Sequence, residues 1–299
     1  MTDTERFFEE CANIEYEKDV DLSLRSSFRI GGKAKYGVWP KSESAFCAVI
    51  DYLTEEKIKF TVLGNGTNVL FSDEGYDGVV VFTTSLKKIR CSRNTIYAEA
   101  GASFTNLAAF ARNSGLSGLE FAYGIPGTVG GAVYMNAGAY DGEVSKILQK
   151  SAYFDPVLSK RGELYNRSHE FGYRESAYMK NGCVILSASF ELVPGDVDEI
   201  NTKMEGFLAA RREKQPLEYP SAGSAFKRYP GYFTAKLIDE AGLKGLTVGG
   251  AQVSLKHAGF IINKGGATSS DVKTLIKRIQ DVIFEKNGIR IEREVRYID

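Results

Sequence analysis

The chain contains 299 residues, 43% of them hydrophobic and 25% charged, and its 38 basic and 38 acidic residues give a net charge of +0. This composition predicts a globular protein with a large core, and the length suggests about two domains. The balanced charge argues against nucleic acid as a partner, because binding along a phosphate backbone needs a clear basic surplus.

Signals for targeting, membrane insertion and disulfide formation are missing from the sequence. Residues 1–6 contain no apolar stretch, so no signal peptide is predicted, and no apolar run approaches the roughly 18 residues of a membrane span. Cys11, Cys47, Cys91 and Cys183 lie far apart without a C-x-x-C pair, which predicts free thiols and neither a metal site nor a disulfide framework. We therefore expect a cytoplasmic protein that does not contact a membrane.

The first part of the chain alternates helices and strands. Apolar residues at helical spacing predict a helix over 5–18, and Ser42 is placed to cap a second helix that continues to Lys57. A third helix is predicted over 105–113, where Ser114 and Gly115 follow as a termination signal. Strands are predicted up to Pro40 and over 59–63, 79–82 and 95–99.

The second part of the chain has the same mixed character. A long helix is predicted over 197–214, stopped by Pro216, and it marks a domain boundary. Further helices are predicted over 233–241 and from Ser269 or Ser270 to Asn287. Strands are predicted over 151–154, 184–192, 247–254, 259–263 and 289–298. Helices and strands in both halves indicate an α+β or α/β fold.

Two glycine-rich segments stand out as candidate binding loops. Residues 120–140 carry no charged side chain between Ala122 and Ala139, which fits backbone wrapped around a large, partly apolar ligand or a buried run of tight turns. Residues 64–68 follow a strand but lack the third glycine of a dinucleotide fingerprint, since position 69 is Val. A dinucleotide is large enough to need both loops.

Three polar side chains are candidates for chemistry, each with a plainer alternative. Arg174 could hold a carboxylate bidentately or form a surface ion pair. Ser224 could donate a proton or serve a turn. Glu294 lies on the predicted last strand, where a solvated face is the usual reading. His169 is expected in an exposed loop, and two isolated histidines argue against a metal site and against a Ser-His-Asp triad.

Taken together, the motifs resemble those of UDP-N-acetylenolpyruvoylglucosamine reductases, flavoenzymes of peptidoglycan precursor synthesis. The matching stretches run from about residue 26 to the C-terminus, and their order and spacing make the resemblance specific. The chain is similar to the shorter type of this family, without the extra Tyr-bearing loop. The matching stretches are SSFRIGGKA (26–34), VLGNGTNVL (62–70), GIPGTVGGAVYMNAGAY (124–140), YRES (173–176), SAGSAFKR (221–228) and EREVRYI (292–298).

The resemblance implies an α+β fold in which two subdomains bind FAD, as in the vanillyl-alcohol-oxidase type, followed by a substrate-binding α+β domain. The implied boundaries are 1–85, 86–200 and 201–299, with the last strand returning toward the flavin. FAD is expected to be non-covalent, because no His precedes residue 169 as an attachment point. The implied FAD-binding residues are Leu63, Gly64, Asn65, Gly66, Thr67, Asn68, Gly124, Ile125, Pro126, Gly127, Thr128, Gly130, Gly131, Asn136, Ala137 and Gly138.

The resemblance also implies an activity. NADPH would reduce FAD, and hydride would then pass from flavin N5 to C3 of the enolpyruvyl ether of UDP-N-acetylglucosamine. Arg174 and Glu294 would stabilise the enolate-like charge, and Ser224 would protonate C2. The implied substrate contacts are Tyr173, Lys214, Lys227, Arg228 and His257. The expected assembly is a monomer. Two other hypotheses stay open here: another FAD-dependent oxidoreductase of the same fold, and a non-catalytic nucleotide-binding protein.

Overall fold

A computed structural model describes residues 1–229 and 231–299, and over these ranges the chain forms eight α-helices and nineteen strands. The helices are α1 (Asp3–Glu10), α2 (Glu43–Glu55), α3 (Phe104–Asn113), α4 (Val129–Tyr134), α5 (Tyr178–Asn181), α6 (Val197–Lys214), α7 (Thr234–Glu240) and α8 (Ser269–Asn287).

The strands are short and spread along the whole chain. They are β1 (Ile14–Asp21), β2 (Lys33–Pro40), β3 (Phe60–Leu63), β4 (Val69–Phe71), β5 (Tyr76–Phe82), β6 (Ile89–Ser92), β7 (Thr95–Glu99), β8 (Leu116–Ser117), β9 (Gly138–Ala139), β10 (Gly142–Glu143), β11 (Leu148–Asp155), β12 (Lys160–Tyr165), β13 (Val184–Glu191), β14 (Val193–Pro194), β15 (Ser221–Ser224), β16 (Thr247–Val248), β17 (Ala251–Val253), β18 (Phe260–Asn263) and β19 (Arg296–Ile298).

Three sheets carry most of these strands. Their strand orders are β1-β2-β5-β3, β12-β11-β13-β7-β6 and β15-β18-β17-β16. β3 and β5 are parallel, the five-stranded sheet is antiparallel, and β19 forms a separate parallel pair with β4.

The chain divides into two compact units, each assembled from three segments. Unit 1 comprises residues 1–18, 36–64 and 78–209, and unit 2 comprises residues 19–35, 65–77 and 210–299.

Unit 1 has two hydrophobic clusters that share the five-stranded sheet. Successive strand residues point to opposite faces, and the start of β13 shows this directly: Val184 and Leu186 pack in one cluster, whereas Ile185 between them packs in the other. The first cluster is completed mainly by α2 and the second by α3 and α4. β13 is therefore buried on both faces up to Phe190, and over this range it carries only apolar residues and serines.

Unit 2 has one hydrophobic cluster, to which one face of α8 contributes Val272, Leu275, Ile276, Ile279 and Ile283. Phe28, Ile30 and Leu70 come to this cluster from the two N-terminal segments of the unit. The core of unit 2 therefore draws on distant parts of the chain.

Most predicted elements are present, and four predictions need correction. The predicted helix over 5–18 ends at Glu10, and the chain from Ile14 is strand β1. The predicted strand over 247–254 is the hairpin β16–β17, because Gly249 turns the chain at φ +51°. The cap of α8 is Thr268, whose side chain accepts from Asp271 N, in place of Ser269 or Ser270. The last strand covers only Arg296–Ile298 of the predicted 289–298.

Candidate active site

Ser224 and Glu294 lie on neighbouring segments of unit 2. Ser224 is the last residue of β15, and the carbonyl of the following Ala225 accepts a hydrogen bond from Glu294 N at 2.8 Å. Two residues further on, Lys227 N donates to Glu292 O at 2.9 Å. These backbone bonds bring the predicted proton donor and the predicted acidic residue close together, although 70 positions separate 224 from 294 in the sequence.

The loop over 65–68 is tied to the same part of unit 2. The side-chain amide of Asn68 donates to Glu294 O at 3.3 Å, and Arg296 N donates to Asn68 O at 3.0 Å. Gly66 adopts φ +61°, and a Cβ built on it would lie 2.3 Å from Arg25 O, so only glycine fits this turn without a shift. Ser27 N donates to Gly66 O at 3.1 Å.

This loop meets one requirement of a diphosphate site. Among the described residues, no acceptor takes a hydrogen bond from the backbone N–H of Asn65, Gly66 or Thr67. Consecutive unused N–H groups in a turn can bind anionic oxygens. Residues 65–67, which are among those predicted to hold FAD, therefore offer N–H donors that suit the phosphate part of that cofactor.

The glycine-rich segment over 124–138 is built around α4 in unit 1. Thr128 caps this helix, and its hydroxyl oxygen accepts from Gly131 N at 3.3 Å. A Cβ on Gly64 would lie 2.3 Å from this hydroxyl, and one on Gly130 would lie 3.0 Å from the Ala100 Cβ. Gly64 and Gly130 therefore allow close approach of chain segments, whereas Gly131 and Pro126 are exposed and offer backbone surface to a ligand.

Asn136 lies near the end of this segment and contacts two other parts of unit 1. Its side-chain amide donates to Gly172 O at 2.9 Å, and its carbonyl oxygen accepts from Ser145 N at 2.9 Å. Its side chain is buried, with 3% exposed. These contacts connect Asn136, a predicted FAD ligand, with the turn that carries Arg174.

Arg174 lies at the tip of a tight turn in unit 1. Gly172 and Glu175 exchange two backbone hydrogen bonds of 3.2 and 3.3 Å, and Arg174 between them adopts φ +58°. Its guanidinium donates to Gly138 O at 3.3 Å and lies over the ring of Tyr173, 4.9 Å from the centroid. Glu170, a carboxylate close to Arg174 in the sequence, pairs with Lys180 at 3.0 Å.

The side chains predicted to contact the substrate differ in how many contacts within the protein hold them in place. The side chain of His257 is partly buried, its Nδ1 accepts from Gly259 N at 3.1 Å, and burial lowers its pKa. The imidazole is therefore neutral near pH 7 and carries its proton on Nε2, as a donor. Lys227 pairs with Glu292 at 3.2 Å. The guanidinium of Arg228 lies over the ring of Phe233, 5.4 Å from its centroid, and Lys214 is exposed.

The prediction that His169 lies in an exposed loop is wrong. Its side chain is fully buried in unit 1, where it contacts Ser151 and Phe171. A lone histidine between polar residues gives no periodic signal of burial, so the sequence could not reveal this environment.

Neither a metal cluster nor a membrane span occurs in the described ranges. No group of three or more His, Cys, Asp or Glu side chains there is arranged to hold a metal ion. No helix there is long and apolar enough to cross a membrane.

Comparison with known proteins defines first the class and then the family. Residues 34–165 match the model of an FAD binding domain, so the glycine-rich loops belong to a flavoprotein fold. Residues 215–298 match the C-terminal domain of UDP-N-acetylenolpyruvoylglucosamine reductase. The chain belongs to the UDP-N-acetylenolpyruvoylglucosamine reductase family.

Whole-chain relatives agree with this assignment. The reductase of Caldicellulosiruptor bescii is 46% identical over 96% of this chain and 92% of its own. The reductase of Lactobacillus helveticus is 46% identical over 95% of both chains. The crystal structure of the Thermus caldophilus reductase has a TM-score of 0.82 and 32% identity, covering 96% of this chain and 99% of its own. The predicted family, α+β flavoprotein fold, FAD cofactor and NADPH-dependent reductase activity are confirmed.

Proposed function

We propose that this chain reduces UDP-N-acetylglucosamine enolpyruvate to UDP-N-acetylmuramate for peptidoglycan synthesis, with Arg174, Ser224 and Glu294 as its catalytic residues. The observation that carries the roles of Ser224 and Glu294 is the hydrogen bond from Glu294 N to Ala225 O, which brings the two positions together in unit 2. The FAD held by this chain would supply the hydride chemistry, carrying two electrons and one proton from NADPH to C3 of the enolpyruvyl group.

Arg174 stabilises the charge that this transfer creates. Hydride addition at C3 leaves negative charge on C2 and on the adjoining carboxylate of the substrate. A guanidinium can meet that carboxylate with two parallel hydrogen bonds, which strengthen as the charge grows. Holding Arg174 at φ +58° in a tight turn fixes the direction of its side chain before the substrate arrives.

Ser224 completes the reaction by protonating C2. A serine hydroxyl has a high pKa, so it gives up its proton only to a strong base such as the enolate carbon. Glu294 assists if it is protonated or hydrogen-bonded to the substrate carboxylate, since a bare carboxylate there would repel the growing charge. The backbone bonds at Ala225 and Lys227 keep both side chains on one rigid part of unit 2.

The loops of residues 63–68 and 124–138 hold FAD without a covalent bond. His169 is buried in its own hydrogen-bonded cluster, and His257 lies in the part of the chain that matches the C-terminal domain, so neither is placed as an attachment point in the FAD binding region. The three-part division at residues 85 and 200 belongs to this proposal. Its support is that most residues of the three clusters fall before residue 87, over 96–204 and over 222–295, whereas Phe28, Ile30 and Leu70 join the cluster of unit 2. The monomeric state and the cytoplasmic location also belong to this proposal. A cytoplasmic location suits an enzyme that uses NADPH.

The test follows the visible absorption of the flavin through the two halves of the reaction. Under anaerobic conditions NADPH should bleach the flavin band, and the enolpyruvyl substrate should restore it. Ser224→Ala should bleach at the wild-type rate but recover about 10²-fold to 10⁴-fold more slowly, the usual contribution of a proton donor. If NADPH bleaches the flavin and the enolpyruvyl compound does not restore the band, the proposed identity of the substrate is refuted. Recovery of Ser224→Ala at the wild-type rate would refute the role of Ser224.

A further inference from the structure

The structure points to a positioning device beneath the Arg174 turn: we propose that Ser151, His169 and Tyr178 hold this turn in its catalytic geometry. The proposal rests on the catalytic role of Arg174 proposed above. The three side chains form one connected cluster inside unit 1, and none of them belongs to the reaction as described so far.

The cluster is fully buried and hydrogen-bonded. Ser151 Oγ lies 2.7 Å from His169 Nε2 and 2.6 Å from the Tyr178 hydroxyl, and His169 Nδ1 lies 2.9 Å from Asn166 O. The exposed fractions of Ser151, His169 and Tyr178 are 0%, 0% and 2%. Buried polar groups with all partners in place give a region a single, rigid conformation.

The direction of each hydrogen bond in the cluster follows from the bond between His169 and Asn166. A carbonyl oxygen can only accept, so His169 Nδ1 carries the proton and donates to Asn166 O. Burial lowers the pKa of His169, so the ring is neutral and its Nε2 accepts from the Ser151 hydroxyl. Ser151 Oγ then accepts from Tyr178, which completes a chain that runs from the phenol to the Asn166 carbonyl.

This series of hydrogen bonds closes the loop that carries Arg174. His169 and Tyr178 stand on either side of residues 170–177, and the single hydroxyl of Ser151 binds both. Ala177 N also donates to His169 O at 2.7 Å, which fixes the base of the loop through the backbone. Ser151 itself lies in β11, which is paired on both sides, with β12 and β13, and so provides a rigid support.

The tip of the loop needs such a support, because its backbone is strained. Arg174 adopts φ +58°, a region that costs a non-glycine residue free energy and persists only where its surroundings enforce it. Further contacts hold the tip toward the glycine-rich segment: Ser176 Oγ donates to Tyr134 O at 2.7 Å, and Asn136 donates to Gly172 O at 2.9 Å. Releasing the base would let Arg174 relax and move its guanidinium.

The experiment compares the two half-reactions of the holoenzyme by stopped-flow absorption. The variants are Tyr178→Phe, which removes one hydroxyl and keeps the ring, and Ser151→Ala, which frees both ends of the loop. The matched control is Tyr97→Phe, whose half-buried phenol in the neighbouring part of the sheet donates to Glu43 at 2.9 Å. Arg174→Ala is measured alongside to test the catalytic role itself.

We expect flavin reduction by NADPH to stay near the wild-type rate in both cluster variants. Reoxidation by the enolpyruvyl substrate should slow about tenfold in Tyr178→Phe and about a hundredfold in Ser151→Ala, since a misplacement of about 1 Å costs that much. The loss should appear in kcat and not in KM, because the carboxylate charge grows only in the transition state. Tyr97→Phe should leave both rates near wild type.

The outcomes separate this inference from the function it rests on. Slow reoxidation in Arg174→Ala with wild-type reoxidation in both cluster variants would overturn the positioning role alone. Wild-type reoxidation in Arg174→Ala would overturn the catalytic role and the positioning role together. Equal slowing of both half-reactions, or slowing in Tyr97→Phe, would show a general structural effect and overturn the inference. If Ser151→Ala does not fold, Tyr178→Phe decides the question.

Discussion

Gly66→Ala should disturb both the stability of the protein and its affinity for FAD. Two costs add at this position. An alanine at φ +61° costs about 1–2 kcal/mol for the left-handed conformation. Its Cβ would also lie 2.3 Å from Arg25 O, and relieving such an overlap in packed structure costs about 1–3 kcal/mol more. We therefore expect a total loss of about 2–5 kcal/mol.

A matched glycine separates the two costs. Gly288 ends α8 at φ +68° and has no neighbouring atom within 4 Å of an added Cβ, so Gly288→Ala carries only the conformational cost. Each kcal/mol lowers the melting temperature of a larger domain by about 2–4 °C. Thermal melting at saturating FAD should therefore show Gly66→Ala to be clearly less stable than Gly288→Ala.

A titration with FAD completes the comparison. Relieving the overlap requires the backbone at residue 66 to move, and the N–H groups of residues 65–67 would move with it. The dissociation constant for FAD should rise at least about tenfold in Gly66→Ala, which corresponds to about 1.4 kcal/mol, and stay near wild type in Gly288→Ala. Equal melting temperatures for the two variants would refute the steric argument. Wild-type FAD affinity in Gly66→Ala would refute the place of this loop in the cofactor site.

Three further predictions concern single side chains. Glu5 accepts hydrogen bonds from Lys18 and Tyr36, and these contacts lower its pKa to about 2. Its carboxylate therefore stabilises the fold above pH 4.5 and loses this effect as the pH falls toward 2. The difference in melting temperature between wild type and Glu5→Gln should shrink over that pH range, and a constant difference would contradict this. His257→Asn keeps an acceptor for Gly259 N but loses the Nε2 donor. In steady-state kinetics, KM for the enolpyruvyl substrate should therefore rise about threefold to tenfold while kcat stays unchanged. Asp73 accepts hydrogen bonds from the first two backbone N–H groups of α8 at 2.6 and 3.0 Å. Asp73→Ala should therefore lower the free energy of unfolding by about 1 kcal/mol, measured by thermal melting. An unchanged melting temperature would exclude this stabilisation.

The sequence predicted best where periodicity and end signals agreed. The helix over 197–214 was predicted with the bounds it has, and Ser42 caps α2 as expected. Predictions failed where tertiary contacts decide the conformation. Residues 14–18 read as the end of a helix but pair as β1, and the predicted last strand over 289–298 forms its regular ladder only at Arg296–Ile298, where β4 supplies a partner.

For the candidate site, too, some features could be predicted from the sequence and others could not. The glycine-rich loops and the three polar candidates could be selected from local composition and family motifs. The closeness of Ser224 and Glu294 could not be derived from their spacing, because it depends on backbone bonds between distant segments. The burial of His169 also escaped prediction, since the Ser151 hydroxyl that bonds its ring and the Tyr178 hydroxyl that bonds Ser151 lie on separate elements.

The division of each unit among three chain segments has a consequence for synthesis on the ribosome. Phe28, Ile30 and Leu70 emerge early, but the core they join is completed only when residues 210–299 have been made. Until then these apolar side chains lack their partners, and β4 lacks β19. Nascent chains are therefore exposed to aggregation for most of translation. For the same reason, residues 215–298 expressed alone would lack part of their own core, so this family domain is not a self-sufficient folding unit.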